Sequence, residues 1–274
     1  MKPIKSIIQT FLVVVLLVVV VFSTYAGVLP SQPNNLTIMG NSTRGYVNGT
    51  IQNKTRGYIY YANISQVQST EKWLAIVGNV SGEYALEDAM GSQIYDWVIT
   101  TTTGEVYATK EAFDEVAATN LFGGGIPYWP NVSCANSSMI ARETVEFNHS
   151  AGDEDAYNRT FVDTGFSTPS FYVGEKLVAD VNCYGVNLKV ANQTPAEAAG
   201  ARNWTQVVLT DWTSEDASGT PYGGISHDII YAALIQNNSV GYNSQIYDFQ
   251  MLLPQSGVKG AVSNVPFYFY VELV

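Results

Sequence analysis

The chain carries little charge. Charged residues make up 14% of its 274 positions, against ~25% in ordinary soluble domains. Lysine and arginine number 13 and aspartate and glutamate 24, which gives a formal net charge of −11. Nucleic acids and anionic membrane surfaces bind basic patches, so we predict no nucleic-acid partner and no attachment to an anionic membrane surface through charge.

Catalytic patterns are missing as well. The sequence contains no G-x-S-x-G, H-E-x-x-H or C-x-x-C pattern and no phosphate-binding loop. The two histidines are His149 and His227, and we interpret both as ordinary surface or turn residues. We therefore predict that the protein is not an enzyme. A hydrolase that uses two distant carboxylates is the alternative, because such a pair has no local signature.

Cysteine is scarce too, since Cys134 and Cys183 are the two in the chain. In an exported protein, two cysteines most simply form one disulfide bond. Closing a separation of 49 residues would stabilise the fold by ~4 kcal/mol on the chain-entropy model. Two buried thiols, or a metal pair without its other ligands, are the alternatives.

One long apolar run is present near the N-terminus. Only two residues are polar from Ile7 to Phe22, two lysines precede the run, and the next basic residue is Arg44. A helix of ~20 residues crosses the bilayer core, and Ile7–Tyr25 approaches that length. Because the flanking positive charge lies on the N-terminal side, we predict a single-pass transmembrane anchor in residues 1–26. Its N-terminus is expected in the cytoplasm and the C-terminal domain outside the cell.

Two processed forms compete with this anchor. Thr24-Tyr25-Ala26 before Gly27 resembles a signal-peptidase site, and cleavage there would release the protein. A pilin-type peptidase would instead cut near Lys5-Ser6 and leave the apolar helix to pack in a filament core. A buried helix of a soluble protein fits poorly, because such helices are rarely apolar all round.

Asn-x-Ser/Thr tripeptides are abundant. The 20 asparagines and 43 serines and threonines would give about three such tripeptides by chance, whereas the chain has 13. We predict dense N-glycosylation of an exported chain; the alternative is an Asn-rich turn composition without sugar. The predicted acceptors are Asn35, Asn41, Asn48, Asn53, Asn63, Asn79, Asn131, Asn136, Asn148, Asn158, Asn192, Asn203 and Asn237.

The chain beyond the anchor divides into a stalk and a β-rich domain. Residues 27–56 hold Pro, Gly and four acceptor asparagines with little apolar pattern, which predicts a glycosylated stalk or linker. Residues 57–274 show turn signals every ~8–12 residues between runs rich in Val, Ile, Thr and Tyr. This pattern predicts an all-β ectodomain, an Ig-like or jelly-roll-type β-sandwich, built as one domain or as two halves that meet near residue 136.

Most of that domain is predicted to be strand. Lys72–Val80 is apolar on both faces, which predicts a central strand, and the last strand is expected to pair within the fold. Capping patterns predict two short helices, Lys110–Asn120 and residues 194–202. The predicted strands are Gly57–Gln66, Lys72–Val80, Tyr84–Ala89, Ile94–Thr101, Glu105–Thr109, Trp204–Thr213, Asp228–Gln236, Gln245–Leu253 and Val265–Val274.

An acidic loop offers the best small site. Asp153, Asp155 and Asn158 provide hard oxygen ligands of the kind that Ca²⁺ takes. The full calcium-loop spacing is absent, so the alternative is a solvated acidic turn. Apart from a structural calcium here, we predict no cofactor.

Several stretches together resemble a group of archaeal surface proteins. They are residues 72–88 (KWLAIVGNVSGEYALED), residues 94–109 (IYDWVITTTTGEVYAT), the segments around both cysteines, and residues 247–273, from YDFQMLLP to FYFYVEL. Proteins of this group are anchored by one N-terminal helix and are β-rich outside the cell. The resemblance implies location and architecture over residues 57–274 and transfers no functional residue.

Together these features predict a membrane-anchored, N-glycosylated extracellular protein with an adhesion or envelope-structural role. Its expected partners are the lipid bilayer, through Ile7–Tyr25, and other surface proteins or glycans. A type IV pilin-like filament subunit and a secreted glycan-active hydrolase are the alternatives.

The mature N-terminus distinguishes these predictions. We expect mass spectrometry of the purified protein to find Met1 or Lys2 first, because a transmembrane anchor is retained. Ser6 or Ile7 as the first residue would indicate a pilin-like subunit instead. Gly27 would indicate a secreted protein and contradict both.

Overall fold

A computed structural model describes residues 29–43, 70–110, 127–164, 168–179, 182–191, 204–211, 229–257 and 265–274. The predicted anchor, the strand Gly57–Gln66, the helix Lys110–Asn120 beyond its first residue, and the helix 194–202 lie outside these residues. Within the described ranges, no helix has the length and apolar character needed to cross a membrane.

The described residues are mostly strand with two short helices, which confirms the all-β prediction. The helices are α1 (Ser137–Glu146) and α2 (Tyr157–Thr160), and a 3₁₀ turn covers Trp129–Asn131. The strands are β1 (Trp73–Gly78), β2 (Glu83–Glu87), β3 (Gln93–Val98), β4 (Gly104–Thr109), β5 (Ser133–Cys134), β6 (Phe171–Val173), β7 (Lys176–Val178), β8 (Gly185–Leu188), β9 (Trp204–Thr210), β10 (Ile229–Leu234), β11 (Ser239–Val240), β12 (Ile246–Tyr247), β13 (Phe249–Pro254) and β14 (Tyr268–Leu273).

Six strands form a central antiparallel sheet in the order β14-β4-β10-β9-β5, and β8 pairs with β9 as well. Strands from both sides of residue 136 share this sheet, because β4 lies between β10 and β14. The other described strands pair in twos: β1 with β13, β2 with β3, β6 with β7, and β11 with β12. Among these strands β1 pairs with β13 alone, whereas its apolar pattern predicts a central position.

Side-chain alternation gives the central sheet two apolar faces. On one face, Val106 and Tyr231 pack against α1, α2 and β13. On the other, Tyr107 and Tyr270 pack against Trp129 of the 3₁₀ turn and against the β6–β7 hairpin. Both faces are therefore covered, with each large apolar side chain contributing roughly 1.5–3 kcal/mol on burial. The Ig-like or jelly-roll closure stays a prediction, because the strands within the described residues show no second sheet that closes a sandwich.

Helix α1 begins at a predicted glycan acceptor. The Oδ1 atom of Asn136 accepts a hydrogen bond from the Met139 amide at 3.0 Å and so satisfies one of the free N–H groups of the first turn. The helix ends at Glu146, and Asn148 follows with φ +52°, a left-handed conformation that asparagine tolerates. The sequence did not predict α1, because its Asn-Ser-Ser start has the composition of a turn.

The last strand pairs within the fold, as the sequence predicts, because β14 pairs with β4 along its whole length. On the outer edge of β14, Ser31 and Val271 exchange two backbone hydrogen bonds, of 3.1 and 2.9 Å. Pro30 is buried, and the side chain of Leu29 packs on Gly174 in the β6–β7 turn. The start of the predicted stalk therefore docks on the domain and covers part of the exposed edge of its last strand.

Cys134 and Cys183 form a disulfide bond, which confirms the sequence prediction. Their Cα atoms are 5.1 Å apart, within the usual range for such bonds. Cys134 ends β5 and Cys183 lies shortly before β8, and both strands pair with β9. The bond therefore ties together two short strands that have few hydrogen bonds of their own.

We expect the double variant Cys134→Ala/Cys183→Ala to lose about 3–4 kcal/mol of unfolding free energy, because the unfolded chain loses a constraint. Denaturant unfolding monitored by tryptophan fluorescence measures this loss. A reducing agent should produce the same loss in the wild type and none in the double variant. An unchanged wild type under reduction would contradict a stabilising role for the bond.

Candidate functional site

The β2–β3 hairpin is the most exposed pair of described strands. Every one of its strand residues is exposed except Ala85, which is half-buried. An isolated two-stranded hairpin is only marginally stable in water, and clustered exposed apolar residues commonly mark interaction sites. The hairpin is therefore a candidate contact surface.

One face of this hairpin is aromatic. Tyr84 lies opposite Trp97 and Leu86 lies opposite Tyr95, so these four side chains share a face. Their exposed fractions are 37%, 51%, 57% and 59% in the order Tyr84, Trp97, Leu86 and Tyr95. The rings of Tyr95 and Trp97 meet edge to face with centroids 4.9 Å apart. We call these four residues the aromatic face.

Acidic residues and exposed aliphatic residues occupy the rest of the hairpin, where Ile94 and Val98 are 79% and 78% exposed. Glu83 and Asp96 lie on the side opposite the aromatic face, and residues 83–98 contain no lysine or arginine. At the turn, Asp88 Oδ1 accepts the amides of Ser92 and Met90, at 2.9 and 2.8 Å. These backbone hydrogen bonds, first that of Ser92, hold the pKa of Asp88 below its usual value. The hairpin therefore presents aromatic rings in a negatively charged setting.

The base of the hairpin is attached to the end of β14. The hydroxyl of Tyr84 donates a hydrogen bond to the Leu273 carbonyl, and Gly82 contacts the Leu273 side chain. The Val80 amide donates to Asp248 Oδ2 at 2.8 Å, so the chain that enters the hairpin is held as well. These contacts fix the root of the hairpin while its aromatic face stays exposed.

A second cluster is buried in the central sheet. Glu105 of β4 lies directly opposite Glu272 of β14, and the two are 5% and 3% exposed. Glu272 accepts two hydrogen bonds: from the Tyr107 hydroxyl at 3.0 Å and from the Gly174 amide at 2.8 Å. The Oε2 atom of Glu105 is buried and makes no hydrogen bond with a described residue.

Burial dominates the acid–base properties of this cluster. Burial first, and then the charge of Glu272, raise the pKa of Glu105 to about 8. Burial also raises the pKa of Glu272, although the hydrogen bonds from Gly174 and Tyr107 oppose it. The pKa of Tyr107 lies well above its usual value for the same reason, so its hydroxyl stays protonated. A substrate has no access to a pair so deeply buried, although the two carboxyls face each other.

The predicted calcium ligands Asp153 and Asp155 contact a lysine. Lys72 Nζ lies 2.6 Å from Asp153 Oδ2 and 2.6 Å from Asp155 Oδ1, and Thr70 donates to Asp155 at 2.7 Å. The hydrogen bonds from Lys72 and then Thr70 lower the pKa of Asp155. The Asn158 amide donates to the Ala151 carbonyl, and its Oδ1 atom makes no hydrogen bond with a described residue.

No described set of three or more His, Cys, Asp and Glu side chains is arranged to hold a metal ion. Calcium binding at the acidic loop stays a prediction.

The histidine interpretation is wrong for His149, and His227 lies outside the described residues. His149 is only 5% exposed, because the rings of Trp73 in β1 and Phe147 after α1 pack against it. Its Nδ1 atom accepts the Tyr157 amide at 3.1 Å, so the proton is on Nε2, which lies 2.8 Å from the Gln255 carbonyl. Burial is the main cause that lowers its pKa. His149 therefore links α2 to β13 as a neutral core residue.

The described glycan acceptors differ in accessibility. Asn131 and Asn158 donate their side-chain amides to the carbonyls of Asp211 and Ala151, at 3.2 and 3.4 Å, so these amide nitrogens are already engaged in the fold. Glycosylation at all of these positions stays a prediction. The exposed acceptors are Asn35, Asn41, Asn79, Asn136 and Asn148, and the half-buried ones are Asn131, Asn158 and Asn237.

Comparison with known proteins finds no match to this chain among family models, curated proteins or solved structures. The resemblance to archaeal surface proteins therefore stays a prediction, and the site must be interpreted from its own chemistry.

The role of Lys72 in the acidic loop can be tested by comparing calcium binding with and without this lysine. We expect millimolar calcium to leave the unfolding temperature of the wild type unchanged, because Lys72 already neutralises Asp153 and Asp155. In Lys72→Met the two carboxylates lose their cation, so calcium should raise the unfolding temperature. Magnesium is the control in both proteins. Stabilisation of the wild type by calcium alone would contradict this expectation and support a native calcium site.

Proposed function

We propose that this protein is a membrane-anchored, N-glycosylated adhesin of the cell surface, built on an Ig-like or jelly-roll-type β-sandwich. The observation that carries the proposal is the exposed aromatic face of the β2–β3 hairpin. The apolar run, the excess of glycan acceptors and the disulfide support an extracellular location. The absence of a catalytic motif from the sequence supports a binding role over an enzymatic one.

The chemistry of the hairpin favours carbohydrate as the ligand. The C–H groups of a sugar ring pack on aromatic rings, and Tyr95 and Trp97 are exposed enough to receive them. The hydroxyl of Tyr95 lies on the same face and can exchange hydrogen bonds with the hydroxyls of a neutral sugar. An anionic ligand or lipid surface would be repelled by the four acids of residues 83–98. We therefore assign neutral glycans of the cell envelope as the partner.

The two alternatives have less support. A pilin-like subunit depends on cleavage near Lys5-Ser6, and the described residues of the domain do not favour a filament over a fixed anchor. A glycan hydrolase would need carboxylates that reach substrate, and the facing pair Glu105 and Glu272 is buried under the β6–β7 turn. We therefore propose binding without hydrolysis.

Glycan binding should depend on the aromatic face. The probes are neutral mannose and glucose oligosaccharides, added to the full chain in detergent micelles, with tryptophan fluorescence and calorimetry as readouts. We expect Tyr95→Ala/Trp97→Ala to bind at least about tenfold more weakly, which corresponds to 1.4 kcal/mol of lost stacking.

The matched control is Tyr172→Ala, which removes a ring that is 53% exposed on β6, against 51% for Trp97. This control should bind like the wild type. Equal binding by the hairpin variant and the wild type would contradict the assigned surface. A further contrary result would be a wild type that binds no glycan but self-associates, with a hairpin variant that does not self-associate. That result would show that the partner of the aromatic face is a second copy of the chain.

A further inference from the structure

The buried acidic pair lies where three parts of the fold meet. Glu105 belongs to β4, Glu272 to the last strand β14, and Gly174 to the β6–β7 turn. Glu272 binds the other two parts directly, through Tyr107 of β4 and the Gly174 amide. The same turn receives Leu29, just before Ser31 covers the outer edge of β14. Glu272 therefore ties the last strand to β4 and to the β6–β7 turn at once.

The surroundings of the pair provide no positive charge among the described residues. Tyr107 faces it from β4, and the neighbouring strand β10 places Leu234 opposite Glu105. The β6–β7 turn contributes the Gly174 amide, while Glu175 and Lys176 beside it are exposed. None of the described ion pairs involves either carboxyl group.

Two carboxyl groups in this setting must share a proton. Directly opposed residues of an antiparallel pair have Cβ atoms about 4.5–5.5 Å apart, and two like charges at that distance in an apolar interior are strongly unfavourable. Glu272 accepts two donors, which favour its charged form. Tyr107 also interacts with Glu105 and opposes the rise in its pKa, but Glu105 Oε2 has no described partner. The proton therefore belongs mainly to Glu105, although the pair titrates as a unit.

We propose that Glu105 and Glu272 form a proton-dependent lock that holds the C-terminal strand in the sheet, closed in acidic medium and weakened in alkaline medium. In the closed state one proton and one negative charge occupy the pair. Loss of that proton leaves two charges facing each other across β4 and β14, and repulsion acts on the strand that carries Glu272.

The pH range follows from the pKa values. In the unfolded chain Glu105 ionises near the ordinary glutamate pKa of 4.5, whereas in the folded chain its pKa is about 8. Below pH 4.5 both the folded and the unfolded chain carry the proton, so the ionisation of Glu105 takes no stability from the fold. Stability falls as the pH rises from about 4.5 to 8, because only the unfolded chain releases the proton there, and it levels off above about 8. The domain is thus suited to an acidic exterior.

The test is thermal unfolding of the full chain in detergent between pH 4.5 and 9. Glu105→Gln keeps the shape of the side chain and removes its titration. We expect the unfolding temperature of this variant to rise relative to that of the wild type as the pH rises. The difference in unfolding temperature should be small at pH 4.5 and grow by roughly 10 °C by pH 8. Glu83→Gln, which changes an exposed glutamate of β2, is the control and should keep a constant difference from the wild type.

Comparison with Glu105→Gln cancels the contribution of His149, whose ordinary pKa of 6.5 lies in the same range. A difference that does not change with pH would overturn the proposal. Hydrogen exchange provides a site-resolved check: above pH 8 the amides of β14 should lose protection relative to those of β9 in the wild type, after correction for the intrinsic exchange rate. Equal loss in both strands would also overturn it.

Infrared spectroscopy of the wild type tests for the shared proton even if the variant fails to fold. The carbonyl band of a protonated carboxyl group should be present at pH 6 and disappear above about pH 8. Absence of this band at pH 6 would show that both glutamates are ionised and that no lock exists.

Discussion

Burial of both faces of the central sheet is the constraint on which the rest of this structure depends. Strands β9 and β10 are almost entirely buried, so every neighbouring element must cover one of their faces or extend one of their edges. The helices and β13 cover one face, and the 3₁₀ turn and the β6–β7 hairpin cover the other. The disulfide joins the end of β5 to the chain just before β8. It therefore keeps both strands close to β9, with which they form only short ladders.

The strands of the sheet were predictable because their patterns are strong. The predicted segments Trp204–Thr213, Asp228–Gln236 and Val265–Val274 contain β9, β10 and β14. Long runs of β-branched and aromatic residues between turns strongly favour a strand over a helix or a loop. Helix α1 was missed for the opposite reason. Its start depends on a hydrogen bond from Met139 to Asn136, and the Asn-Ser-Ser sequence alone also fits a turn.

The candidate sites were less predictable, because they depend on contacts between residues distant in sequence. The strands of the β2–β3 hairpin were predicted, but not that Tyr95 and Trp97 stay exposed, since the same pattern fits a strand packed on a core. The pairing of Glu105 with Glu272 depends on the register of β4 and β14, which no local pattern encodes. Lys72 likewise reaches Asp153 and Asp155 only because the fold places β1 beside the acidic loop.

The bridge between Ser31 and Val271 has a mechanical consequence. A chain tethered through its N-terminus transmits tension to the domain first at Leu29 and Ser31, beside the β6–β7 turn and β14. A load on the β2–β3 hairpin enters close by, where Tyr84 holds Leu273 near the end of the same strand. The shortest connection between tether and contact surface therefore runs along a few residues of β14, and the hydrogen bond from Val80 to Asp248 provides a second one. Resistance to pulling then depends in part on how firmly the last strand is held.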